Sequence, residues 1–92
     1  MAVGRAQRRE QRLAKVLAHF DETETSTALD LLELTELGWH DVHGETTPPE
    51  EVVEDMLVFS GGTIDGLIGA AHLAVTDWRD LRVAADQLRG AD

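Results

Sequence analysis

The chain has 92 residues and a mass of 10.1 kDa, with 42% apolar residues, 28% charged residues, no cysteine and a formal charge of −10. It is too rich in Leu, Val and Ala for a disordered segment, and a chain of this length buries roughly two-thirds of its unfolded surface, enough for one small core. The cysteine count excludes a disulfide framework, a Cys-based zinc site and a thiol nucleophile. No apolar h-region follows the basic start, and the longest apolar run, residues 67–75, is too short for a bilayer, so a cytoplasmic protein without membrane contact is expected.

Charge is divided unevenly. Arg5, Arg8, Arg9, Arg12 and Lys15 against Glu10 give the first fifteen residues +4, which leaves −14 on the rest. Leu13, Val16, Leu17 and Phe20 recur at helical spacing, whereas residues 5–12 add only Ala6 to that stripe. The reading is therefore a basic arm or helix extension over residues 1–12, solvated and dispensable for folding, ahead of a single acidic helical domain over residues 13–92. The five cations are the candidates for binding a polyanion.

The polar run of residues 21–27 supplies N-caps for a second helix, which sets Ala28, Leu29, Leu31, Leu32, Trp39 and Val42 on one face. Leu34 and Leu37 fall on nearly the opposite side, which suits a position between neighbours or a subunit contact. These two leucines are the interface candidates. The helix ends at either Gly38 or Gly44.

Thr47, Pro48, Pro49 and Glu50 read as a capping box for a third helix with Pro48 at its first position and Val52, Val53, Met56, Leu57 and Phe59 buried. Gly61 and Gly62 stop it. Thr63 caps a fourth helix carrying Ile64, Leu67, Ile68, Ala71, Val75 and Trp78, whose Gly66 and Gly69 suit close packing by a neighbour. Thr76 or Asp77 either caps a fifth helix through Leu81, Ala84, Ala85 and Leu88 or marks a bend in the fourth. The fold expected is an all-α, compact bundle of four or five short helices.

Chemistry is sparsely encoded. If the second helix passes Gly38, then Glu36, His40 and His43 share a face at i, i+4 and i+7, a spacing that offers a carboxylate and two imidazoles to a divalent metal. The plainer reading places both histidines at the negative end of the helix dipole, with Glu36 as a helical partner, and no cofactor is expected. His72, among alanines, reads as a core histidine. Ser26 and Ser60 lack a nucleophile elbow or a well-spaced base, so no enzymatic activity is expected.

In size, acidity and helical layout the chain resembles small acidic immunity and antitoxin-like inhibitors as a class, without the motif of any one family. Such inhibitors neutralise basic partners. The sequence thus suggests a self-associating, regulatory protein-binding module, with a basic protein as partner and a homodimer as its form. The alternative is a nucleic-acid-associated accessory protein acting through the basic arm.

Overall fold

A computed structural model of the chain describes residues 4–90, and among these every regular element is helical. The order is α1 (Arg5–Leu17), α2 (Glu22–His43), α3 (Glu50–Ser60) and α4 (Ile64–Arg89). Helix α4 lies along α3 and α2, while α1 rests chiefly on α2. Val16, Phe20, Leu29, Leu32 and Trp39 meet Val53, Met56, Leu57, Leu67 and Leu81 in one core. The expected all-α bundle is the fold observed.

The helix stops follow from local chemistry. Gly44 closes α2 at φ 73°, its amide donating to the His40 carbonyl over 2.8 Å. Helix α2 thus passes Gly38 without a break. A Cβ at Gly38 would stand 3.1 Å from a Val75 methyl, so glycine there admits α4 close against α2. Gly61 and Gly62 both adopt left-handed backbone, at φ 62° and 79°, and turn the chain from α3 into α4. Thr63 Oγ1 accepts from the Gly66 amide at 3.0 Å, the cap expected of it. Within α4 the backbone leaves helical geometry at Asp77, whose carboxylate accepts from the Asp80 amide at 3.3 Å. The bend and the cap are therefore one feature, and α4 consists of two helical segments.

Several buried faces differ from the periodicity reading. Helix α1 begins at Arg5, and its buried residues are Arg12 and Val16, whereas Leu13 and Leu17 are exposed. Residues 5–12 are thus a helix extension, exposed at Arg5, Ala6, Gln7, Glu10 and Gln11 but drawn onto the body at Arg8, Arg9 and Arg12; residues 1–3 of the expected arm lie outside the described residues. The capping box at Thr47 does not form. Pro49 is the N-cap of α3 without a side-chain bond, because Thr47 and Glu50 are turned toward Arg12 instead. Val42, Ile68 and Leu88 face solvent, and so does His72, which is not a core histidine. The core side of α4 is Leu67, Ala70, Ala74, Leu81 and Ala85, a row of mostly small residues that lets α2 and α3 approach.

Candidate interaction face

The basic residues of α1 are held by acids of the body. Arg8 places Nε 2.6 Å from Glu36 Oε2, and Arg12 reaches the same oxygen at 3.1 Å. Arg12, only 3% exposed, also donates to Thr47 Oγ1 at 2.9 Å and pairs with Glu50 at 3.2 Å. Lys15 bridges Glu50 and Glu54, both at 3.0 Å, and Arg9 bridges Asp30 and Glu33 at 2.8 and 3.3 Å. Burial pushes the Glu36 carboxyl upward, but the bonds from Arg8 and Thr47 and the nearby charges of Arg12 and Arg8 outweigh it, so its pKa lies below the ordinary value. Glu50 is lowered in the same way, burial being overcome by Lys15 and Arg12. The bonds that Lys15 donates to Glu50 and Glu54 raise its pKa.

Of the polyanion candidates, then, Arg8, Arg9, Arg12 and Lys15 each have a carboxylate partner. Nothing in the local sequence of α1 signals this, because the matching acids lie 21 to 39 residues away along the chain. Arg82 and Arg89 repeat the arrangement on α4 around Asp55, itself 1% exposed, with Arg89 at 2.8 Å. Six of the eight basic residues are in ion pairs, and Arg79 lies over the Trp78 ring, 5.5 Å from its centroid.

The proposed metal spacing exists in α2 without becoming a site. Glu36 is buried under two guanidinium groups, whereas His40 and His43 are exposed and His43 leans on the Trp39 ring at 4.1 Å between centroids. Among the described residues no group of His, Asp and Glu is arranged to hold a metal ion.

The interface candidates stand where the sequence puts them. Leu34 is 61% exposed and Leu37 53%. Leu34 forms one wall of a groove of about 290 Å³ between α2 and α4, completed by Leu31, Ile68, Ala71 and Val75. Its other side borders a shallow hollow of about 280 Å³ shared with Leu37, Arg5, Asp30 and Glu33. Ile68, 51% exposed, belongs to this face and not to the core. Its place follows from helical spacing with Ala71 and Val75, once the small residues are recognised as the buried row. The hydroxyls in the groove are turned to their own helices: Thr35 donates to the Leu31 carbonyl at 2.7 Å and Thr76 to that of His72 at 2.8 Å. What the groove offers a visitor is therefore mainly methyl groups, with the exposed His72 also lining it and acids along the hollow beside it.

No family model matches the chain, and neither a curated protein nor a solved structure is similar to it. Among the described residues no helix is long and apolar enough to cross a membrane.

Proposed function

We propose that this protein is a small protein-binding module of the cytoplasm, without chemistry of its own, which receives an apolar ridge of a basic partner on the α2–α4 face. The observation that carries this reading is the Leu34-centred surface, where Leu34 and Ile68, both more than half exposed, border the groove and Leu37, 53% exposed, extends the patch into the hollow beside it. Singly exposed leucines are ordinary, but a contiguous apolar patch beside charged residues marks an interaction surface. Charge supplies the partner's chemistry. With a formal charge of −10 and most cations already neutralised internally, the outer field attracts basic surfaces.

A symmetric pairing of two copies over the same patch is the second reading, favoured by the mainly apolar groove and opposed by the charge that each copy carries. The nucleic-acid reading has less support, because phosphates would have to displace the carboxylates that hold Arg8, Arg9, Arg12 and Lys15.

Calorimetric titration with a basic amphipathic helical peptide tests the proposal, using as control an isomer of equal composition whose apolar residues are scattered. The amphipathic peptide should bind at least about tenfold more tightly, and Leu34→Ser should abolish the difference, since one buried leucine accounts for roughly that factor. Equal binding of the two isomers would reduce the interaction to charge and overturn the reading. A dimer in sedimentation equilibrium at high micromolar concentration, split by Leu34→Glu, would assign the face to a second copy.

A further inference from the structure

We propose that the cavity between the end of α2, the start of α3 and the bend of α4 is a binding site for an organic cation, a quaternary ammonium group or the alkyl-guanidinium or alkylammonium side chain of another protein. The cavity encloses about 320 Å³, and its walls include Trp39, Trp78, Pro49 and Val52. Both tryptophans of the chain border it. Indole faces are the strongest aromatic partners of a cation, and an apolar wall suits the methylene or methyl groups that surround its charge. Trp78 already has the Arg79 guanidinium 5.5 Å from its ring centroid, so cation contact with an indole is realised beside the cavity.

The charges at the rim select the same ligand class. Glu45 borders the cavity and accepts from Trp39 Nε1 at 3.0 Å, a bond from a neutral donor that fixes the ring and leaves the carboxylate its full negative charge. Glu51 and Arg82, also at the rim, bridge each other at 3.1 Å, and Arg82 lies 3.8 Å from Asp55. The cation of Arg82 is thereby compensated, and among the described residues Glu45 is the rim carboxylate without a cationic partner. His43, its ring tilted 38° to that of Trp39 with centroids 4.1 Å apart, lines that side. An anion would meet Glu45, and a neutral ligand would leave that carboxylate without use.

Because the two tryptophans are the only ones in the chain, intrinsic fluorescence reports on this site alone. Titration of the full chain with tetramethylammonium chloride, against sodium chloride at equal ionic strength, should give a saturable shift with a midpoint in about the millimolar range. Glu45→Gln keeps an acceptor for Trp39 Nε1 while removing the charge, and should weaken binding by up to about fivefold. Trp78→Leu should abolish saturation while Trp39 remains as the reporter. A capped arginine peptide that binds more tightly than tetramethylammonium identifies a partner's side chain as the ligand; the reverse order identifies a free quaternary ammonium. A shift no larger than that of sodium, or equal binding by uncharged tert-butanol, would overturn the proposal. The outcome is independent of the α2–α4 face, because Leu34→Ser leaves this cavity untouched.

Discussion

Glu36→Gln is the substitution that tests most directly how α1 is attached. Glu36 is 4% exposed and accepts from Arg8 at 2.6 Å and from Arg12 at 3.1 Å. Glutamine keeps the volume and an acceptor but removes the charge, leaving a buried guanidinium whose remaining partners are Thr47 and the exposed Glu50, which Lys15 shares. Removing one member of a buried pair costs about 3–5 kcal/mol, and the residual bonds of Arg12 reduce that to roughly 2–3 kcal/mol. In a domain of this size such a loss lowers Tm by about 8–20 °C, readable by circular dichroism, and lowers the urea midpoint with no change in slope. A fall of less than about 2 °C would refute the reasoning. The double variant Glu36→Met with Arg12→Met should recover most of the loss, since an apolar pair needs no compensation.

The same pair fixes the direction of the pH response. The carboxyls of Glu36 and Glu50 titrate below their ordinary value, so their contribution is complete above the unfolded-state pKa of about 4.3 and is lost as pH falls through the folded-state value. Stability should drop as the solution is acidified below about pH 5, and the Glu36→Gln variant should show a shallower drop. An unchanged pH slope in that variant would mean that other carboxylates control acid unfolding.

Three further outcomes are expected. A chain starting at Leu13 lacks both guanidinium partners of Glu36 and should melt at least about 10 °C below the full chain, contrary to the dispensable arm read from the sequence; cooperative melting within a few degrees would restore that reading. Gly66→Ala should destabilise by about 1–3 kcal/mol, because its Cβ would lie 2.1 Å from the Ser60 carbonyl oxygen, whereas Gly69→Ala, with Phe59 at 3.8 Å, should stabilise by about 0.5–1 kcal/mol in denaturant titrations. Zinc or nickel should leave Tm unchanged, since Arg8 and Arg12 hold the carboxylate that a Glu36, His40 and His43 site would need; a rise lost in His43→Ala would show a metal displacing them.

The elements whose signals are local were legible in the sequence. The Gly61–Gly62 turn, the Thr63 cap, the Asp77 bend and the exposure of Leu34 and Leu37 each depend on residues within about one turn, and the backbone realises them. The failures share a cause. With only Ala6 of residues 5–12 on the apolar stripe, periodicity leaves Arg12 in water, yet its compensation comes from Glu36 and Glu50, 24 and 38 residues further on. That distant pairing rotates α1 so that Leu13 and Leu17 face solvent, and it draws Thr47 and Glu50 away from the cap they would otherwise form. On α4 helical spacing groups Ile68 with Leu67, whereas the helix, pressed between α2 and α3, buries Leu67 and Leu81 together with the small Ala70, Ala74 and Ala85 and leaves Ile68 outside. Of the candidate face, Leu34 and Leu37 are visible as an apolar set opposite the main stripe, while Ile68 is grouped by spacing with the buried Leu67 and so is not singled out.

The ionic attachment of α1 also links the fold to the proposed role. If Arg8, Arg9, Arg12 and Lys15 extended into solvent, the chain would present a cationic end and an acidic body, and its field would attract either kind of partner. Docked, those cations neutralise acids on α2 and α3, and the uncompensated charge that remains on the described surface is predominantly negative. The Leu34 groove and the tryptophan-bordered cavity therefore both lie in a field that favours cations. A partner that carries basic residues around an apolar ridge gains from the field on approach and from the groove on contact, and the two gains respond to different perturbations. Added salt slows the approach, while Leu34→Ser speeds the departure. A measured association rate that ignores ionic strength would separate the groove from the field, and would refute the link between the ion-paired docking of α1 and a basic partner.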